Sequence, residues 1–264
     1  MIVGDRNALS LILSPCIEWL FADGGRPFPE RVRAAAAAGF AQVEFWTTTD
    51  KDLDQVEKAL HETGITVTGF VSEPAGRLVD PATHAAFLEG VKRSVQVAAR
   101  LSAHNLIVVS GNARPEADRT QQLDAIAEAL RRAASIASKA GVVLLLEPLN
   151  TLVDHRGYFL DSTADALQVI RSVDQPAVRL LYDMYHSVVM GEDPEHVLVG
   201  SGGLVGHVHI ADAPGRHEPG TGKIDWARQL AALRTAGYGG PIGLEYIPSW
   251  DTRSSLELIR ELAL

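Results

Sequence analysis

Cysteine, positive charge and long apolar runs are all scarce in this 264-residue sequence. The one cysteine, Cys16, excludes a disulfide within the chain and is typical of a reducing compartment. Acidic residues outnumber lysine and arginine by 33 to 24, a net charge of −9, so we expect no nucleic-acid partner. The apolar stretch from Ala8 to Leu13 lacks the length of a membrane span or secretory signal. These absences predict a cytoplasmic protein that has no membrane partner.

A glycine separates a helical pattern from an apolar run at four places along the chain. These junctions are at Gly39, Gly64, Gly141 and Gly237. Glycine is favoured there because the residue after a helix often adopts a positive φ, which other side chains resist. The recurrence predicts a regular alternation of helices and buried strands.

Eight stretches are predicted strands: Leu9–Leu13, Gln42–Phe45, Thr66–Val71, Asn105–Val109, Val142–Leu146, Arg179–Tyr182, Gly206–Ile210 and Ile242–Glu245. Predicted helices are Glu30–Ala38, Leu53–Thr63, Thr163–Val173, Pro194–Val199, Asp225–Ala236 and Thr252–Leu262, with two longer ones around Val91 and Ile126. With no clear linker, this alternation predicts one α/β domain over residues 1–264, a (β/α)₈ TIM barrel. A doubly wound sheet is the main alternative, but the glycine-rich turn of dinucleotide-binding folds is missing after the first strand.

The clearest functional signal is a polar side chain at the end of each of the last four predicted strands. The apolar run before Glu147 is typical of a strand buried on both faces. The next three strands end at Asp183, His209 and Glu245, at separations of 36, 26 and 36 residues. Because the carboxyl ends of barrel strands surround one mouth, these four side chains are predicted to converge there.

Three carboxylates so close together would repel each other strongly unless a cation lay between them. Mixed carboxylate and imidazole ligands favour Mn²⁺, Mg²⁺ or Co²⁺. Any single acid at a strand end is also explained as a helix cap, and His209 as a core histidine beside His207. The four positions together favour a divalent metal site made of Glu147, Asp183, His209 and Glu245.

Four further residues are predicted to contact substrate: Glu44, Trp46, His186 and Arg216. Arg216 lies in a glycine-rich loop, and its guanidinium suits a substrate carboxylate, although a solvated loop arginine is equally consistent. His186 would bind a substrate oxygen, or alternatively pair with the backbone at a helix start. Glu44 and Trp46 would wall the pocket, although Glu44 also suits a structural acid within the barrel.

Three stretches resemble the hydroxypyruvate isomerase family of xylose-isomerase-like barrels: Glu147-Pro148-Leu149-Asn150-Thr151, Tyr182-Asp183-Met184-Tyr185-His186, and Gly206-His207-Val208-His209-Ile210-Ala211 running into Pro214-Gly215-Arg216-His217-Glu218-Pro219. The resemblance implies a metal-assisted isomerase with Glu147 and Glu245 as the acid/base pair, and a homo-oligomer, either a dimer or a tetramer. One position departs from the pattern. Hydroxypyruvate isomerases typically carry glutamine where this chain has His209, whereas the related ketose 3-epimerases carry histidine.

Isomerase and epimerase share the removal of a proton α to a carbonyl, which gives an enediolate. An isomerase returns the proton to the neighbouring carbon, and an epimerase returns it to the same carbon from the opposite face. The first hypothesis is a hydroxypyruvate isomerase in which Arg216 holds the substrate carboxylate. The second is a ketose 3-epimerase or other sugar isomerase acting on 2-oxo-tetronate or a ketohexose, and the third is a sugar-binding barrel without activity. An endonuclease of similar fold is disfavoured by the net charge of −9.

Overall fold

A ring of parallel strands inside a layer of helices is seen in the computed structural model, which describes residues 11–261. The strands are β1 (Leu13–Pro15), β2 (Gln42–Val43), β3 (Thr66–Val67), β4 (Gly69–Val71), β5 (Asn105–Val109), β6 (Val143–Glu147), β7 (Val178–Asp183), β8 (Val205–Ile210) and β9 (Ile242–Leu244). The α-helices are α1 (Phe28–Ala37), α2 (Leu53–Thr63), α3 (His84–Leu101), α4 (Arg119–Lys139), α5 (Thr163–Val173), α6 (Met184–Val189), α7 (Pro194–Val197), α8 (Trp226–Thr235) and α9 (Thr252–Glu261).

Backbone hydrogen bonds close the ring of strands. Seven strands form one parallel sheet in the order β1-β9-β8-β7-β6-β5-β4, while β2 and β3 pair with each other. β1 joins β2 because the Glu44 N–H donates to the Pro15 carbonyl at 3.0 Å, and the Cys16–Glu44 bridge continues this pairing. On the other side of β2, the Val71 N–H donates to the Trp46 carbonyl at 2.8 Å. The predicted barrel is therefore confirmed.

Seven of the eight predicted strands lie within two residues of observed ones, with Thr66–Val71 divided into β3 and β4. Three leucines of β6, Leu144, Leu145 and Leu146, are fully buried, as expected for a strand covered on both faces. The apolar run ends at Glu147, the last residue of β6, so its carboxylate lies at the mouth of the barrel.

The prediction of Leu9–Leu13 as the first strand is wrong. β1 begins at Leu13, and residues 9 and 10 lie outside the described range. Ser14 is fully buried and its hydroxyl bonds the Thr68 hydroxyl at 2.6 Å across the barrel. Pro15 is tolerated in the strand because its carbonyl still accepts from Glu44, although it has no N–H to donate. Pairing with β9 therefore sets the position of the strand, and hydrophobicity alone misplaces it.

Most helices follow the predicted pattern, and α2 and α5 have the predicted bounds. Gly64 ends α2 in the left-handed conformation at φ +71°, as the junction pattern predicts. Helix α6 was not predicted. It begins directly after β7, and the Asp183 carboxylate caps it by accepting from the His186 N–H at 3.0 Å. None of the helices in the described part of the chain is long and apolar enough to cross a bilayer.

Candidate active site

The four predicted metal ligands meet at the carboxyl end of the barrel. Glu147 and Asp183 end β6 and β7, His209 lies near the end of β8, and Glu245 directly follows β9. One ligand atom from each lies within 4.8 Å of those from the others, and all four side chains are buried. His209 Nδ1 lies 3.4 Å from Glu245 Oε2 and 3.7 Å from Glu147 Oε1, without a hydrogen-bond partner. An unpartnered imidazole nitrogen facing buried carboxylates is compatible with a bound divalent cation.

Glu147 and Glu245 have different environments although they are neighbours. Burial raises the pKa of Glu147 to about 7, and the charge of Glu245 acts in the same direction. Burial also opposes ionisation of Glu245, but Arg216 and His209 outweigh it and hold the pKa of that carboxyl well below its usual range. Glu245 Oε1 accepts from Trp46 Nε1 at 2.6 Å, and Oε2 accepts from Arg216 Nη2 at 2.5 Å. One carboxyl group of the pair therefore titrates near neutral pH, while the other stays ionised.

Glu44 departs from the prediction that it walls the pocket. Its carboxylate is buried inside the barrel, where Oε2 accepts from His207 Nε2 at 2.8 Å and Oε1 lies 3.1 Å from His209 Nε2. Burial would lower the pKa of His209, but Glu44 and Glu245 outweigh this effect and raise it well above its ordinary value. Glu44 is thus a partner of a predicted ligand, and it does not line the cavity at the mouth.

Arg216 is a partly buried arginine of the site and not a solvated loop residue. Its side chain is 12% exposed, and Nη2 lies 3.7 Å from Asp183 Oδ2 in addition to its bond with Glu245. The guanidinium carbon lies 5.2 Å from the Trp19 ring centroid and 5.1 Å from that of Tyr185. Two carboxylates and two aromatic rings therefore fix the position of this cation.

Asp212 organises the loop between β8 and α8 that carries Arg216. Its buried carboxylate accepts from three backbone N–H groups and one indole, those of Ala213, Gly220, Ile224 and Trp226. Glycine is required at position 222 because a Cβ there would lie 2.2 Å from Asp212 Oδ1. The loop is consequently folded around one acid.

His186 is held in one orientation by Asn150. The backbone N–H and the side-chain amide of Asn150 lie 3.2 and 2.6 Å from His186 Nδ1. Nε2 lies 3.6 Å from Asp183 Oδ2 and 3.4 Å from Arg216 Nη2. Because the two donors of Asn150 lie closer to Nδ1 than Arg216 lies to Nε2, we assign the proton of the neutral ring to Nε2. Burial lowers the pKa of His186 to about 4, so the ring is neutral near pH 7. The site thus contains a neutral N–H donor beside the predicted ligands.

A cavity of about 350 Å³ adjoins Glu147 and Glu245. Of the predicted site residues, it is lined by Trp46, Glu147, His186, Arg216 and Glu245, whereas Asp183 and His209 do not line it. Sequence reasoning missed further wall residues and supports: Trp19, Asn150, Asp154, His155, Tyr158 and Tyr185. Most of them lie in the loops just beyond the ends of β1 and β6. Polar and aromatic residues in the loop after each predicted strand could therefore have been predicted as site residues.

Comparison with known proteins gives consistent matches over nearly the whole chain. The family model of the xylose isomerase-like TIM barrel matches residues 32–262. The hydroxypyruvate isomerase of Escherichia coli (strain K12) is 29% identical over 88% of this chain and 93% of that protein. The 2-oxo-tetronate isomerase of Cupriavidus necator is 30% identical over 87% of this chain and 90% of that protein. A crystal structure of an AP endonuclease, family 2, from Brucella melitensis has a TM-score of 0.86 and 30% identity, covering 94% and 98% of the two chains.

The closed parallel barrel and the family match place this chain in the xylose isomerase-like TIM barrel family. Within that class it belongs to the hydroxypyruvate isomerase family, as its sequence relatives show, and the protein is an isomerase.

Proposed function

We propose that this isomerase interconverts hydroxypyruvate and 2-hydroxy-3-oxopropanoate through an enediolate. The observation that carries the proposal is the position of Arg216. Among the residues lining the cavity in the described part of the chain, it is the one lysine or arginine, and it contacts Glu245 directly. A substrate carboxylate bound to its guanidinium would bring the adjacent carbonyl and hydroxyl carbons beside the two glutamates.

Glu147 and Glu245 form the acid/base pair of this proposal. Burial raises the pKa of Glu147 in the metal-free site, which makes this carboxylate the stronger base of the pair and suits it to accept and return a proton. Glu245 stays ionised and is held in place by Trp46. His186 presents its Nε2–H to a substrate oxygen on which negative charge develops.

The metal site completes the proposal. Glu147, Asp183, His209 and Glu245 would hold the divalent cation, either Mn²⁺, Mg²⁺ or Co²⁺. When bound, the cation would polarise the substrate carbonyl and hydroxyl and stabilise the charge left by proton removal. The protein's own contribution is to bring these ligands together and to orient the substrate through Arg216.

The test is a substrate screen of the metal-reconstituted protein in deuterated water. We expect hydroxypyruvate to be converted with incorporation of solvent deuterium, and Glu147→Gln and Glu245→Gln each to lower kcat by about 10²- to 10⁴-fold. Glu128→Gln, which removes an exposed carboxylate on α4, is the matched control and should leave kcat unchanged. Turnover that survives in both active-site variants would overturn the assignment.

A ketose 3-epimerase or other sugar isomerase is the second candidate, and His209 favours it. Histidine at this position resembles the ketose 3-epimerases, and a cavity of about 350 Å³ has room for more than a three-carbon acid. The screen therefore includes 2-oxo-tetronate and common ketohexoses. Deuterium incorporation into a ketose without net formation of an aldose would identify the epimerase.

A further inference from the structure

We infer that Glu44 is a positioning residue for the metal site, because it holds His209 with Nδ1 directed toward the other ligands. The inference rests on the metal site of the proposed function and does not depend on which substrate is turned over. It gives the buried Glu44 carboxylate a part in cation affinity, in place of the predicted contact with substrate.

The contacts of Glu44 place one carboxylate between two imidazoles of the same strand. Oε2 is 2.8 Å from His207 Nε2 and forms a hydrogen bond with it. Oε1 is 3.1 Å from His209 Nε2, although this second contact lacks hydrogen-bond alignment. The side chains of all three residues are at most 3% exposed, so no bulk water competes for the carboxylate.

The orientation of His209 follows from the two different nitrogens of its ring. A neutral imidazole has one N–H donor and one lone pair, and the nitrogen facing Glu44 is the one that would carry the proton. Nδ1 then faces Glu147 and Glu245, so its lone pair would be directed toward a cation held by those two carboxylates. Carboxylates that accept from the far nitrogen of a ligating histidine fix its tautomer and ring orientation in this way.

Gly243 on β9 makes room for this arrangement. A Cβ at that position would lie 2.2 Å from Glu44 Oε1 and 2.5 Å from His209 Cδ2. Any larger residue would push apart the two groups whose contact orients the ring. The bond from His207 holds the other oxygen of the carboxylate, so Glu44 cannot easily turn away.

The test is Mn²⁺ binding by the full chain after metal removal, measured by calorimetry without substrate. We expect Glu44→Gln and Glu44→Asp each to weaken Mn²⁺ binding by about 10- to 100-fold. The aspartate variant keeps the negative charge but is too short to reach both imidazoles, so it separates positioning from charge. It also keeps a buried carboxylate for folding if the glutamine variant is unstable.

The control is Glu128→Gln, which removes an exposed carboxylate on α4 and should bind Mn²⁺ within about twofold of wild type. A Glu44→Asp variant that binds Mn²⁺ as tightly as wild type would overturn the inference. A wild-type protein that binds no Mn²⁺ would overturn both this inference and the proposed metal site. Mn²⁺ binding without turnover of hydroxypyruvate would count against the proposed substrate alone.

The absorption spectrum of the Co²⁺ complex gives a second measurement of the site. Loss of the imidazole ligand changes this spectrum.

Discussion

The Arg216 guanidinium can donate two parallel hydrogen bonds, and it is held between the rings of Trp19 and Tyr185 and the carboxylate of Glu245. We expect Arg216→Lys to raise KM for hydroxypyruvate by roughly 10- to 100-fold, because a lysine retains the charge but cannot form two parallel hydrogen bonds to a carboxylate. Steady-state kinetics measure the effect. The control is Arg228→Lys, since Arg228 pairs with Asp193 on the surface. An unchanged KM in the Arg216 variant would contradict a role in binding the acid.

Asn150 determines which nitrogen of His186 carries the proton. Asn150→Asp keeps the oxygen that accepts from the Val153 and Asp154 N–H groups but replaces the donor facing His186 Nδ1 with a carboxylate oxygen. We expect Nδ1 to become protonated and kcat to fall about tenfold or more, because the ring no longer presents a neutral Nε2–H alone. Nuclear magnetic resonance of ¹⁵N-labelled histidine reports the tautomer. An unchanged imidazole spectrum would show that Asn150 does not control it.

Among the elements, the loop between β8 and α8 depends on a single acid. Asp212→Asn replaces one acceptor oxygen by a donor and leaves two of the four N–H groups around it unpaired, so we expect a loss of roughly 2–4 kcal/mol in the free energy of unfolding. Activity should fall as well, because the loop carries Arg216. Urea denaturation measures the stability change. Asp225→Asn is the matched control at the start of α8, where asparagine caps a helix as well as aspartate does.

The ends of the strands were predictable because local sequence determines them. An apolar run that ends on an acid, as at Glu147 and Asp183, identifies both the strand and its polar end. The alternative explanation of Asp183 as a helix cap is confirmed, because its carboxylate caps α6. The same carboxylate lies within reach of the other predicted ligands. The barrel and the convergence of the four predicted ligands therefore followed from periodicity and the known geometry of parallel strands.

Contacts between distant segments could not be predicted in the same way. Glu44 forms a hydrogen bond with His207, 163 residues away in the sequence, and Trp46 donates one to Glu245, 199 residues away. No local sequence pattern indicates which of these side chains contact each other. The misplaced first strand had a similar cause, since the position of Ser14 is set by pairing with β9. Trp19, only a few residues beyond that strand, was missed as a wall of the cavity for the same reason.

For the whole molecule, the dimer or tetramer remains a prediction. Leu152 and Val153 are exposed by 59% and 58% in the loop after β6, next to cavity residues His155 and Tyr158. We expect Leu152→Glu with Val153→Glu to reduce the mass measured by light scattering if this loop lies in the interface. Replacing the isolated exposed residue Val199 with glutamate serves as the control. A mass unchanged from wild type would place the interface elsewhere.

The carboxylate cluster should also couple the stability of the whole barrel to metal. A cation that binds only the folded protein stabilises it by about 2.7 kcal/mol at a hundred times Kd. At this chain length each kcal/mol shifts Tm by about 2–4 °C, so we expect Mn²⁺ to raise Tm by roughly 5–10 °C.

The Glu147→Gln variant distinguishes two effects of this carboxylate on Tm: the cost of burying its charge in the metal-free protein, and its contribution to binding the metal. Replacing this carboxylate with a neutral amide should raise Tm of the metal-free protein, because burial and the nearby charges of Glu245 and Asp183 disfavour its ionised form. The same substitution should shrink the rise in Tm caused by Mn²⁺, because it removes a predicted ligand. Calorimetry with chelator and with Mn²⁺ gives both values for each protein, and Glu128→Gln should behave as wild type does. A Mn²⁺-induced rise as large in Glu147→Gln as in wild type would mean that the cation binds outside this cluster, and the four-ligand site would have to be abandoned.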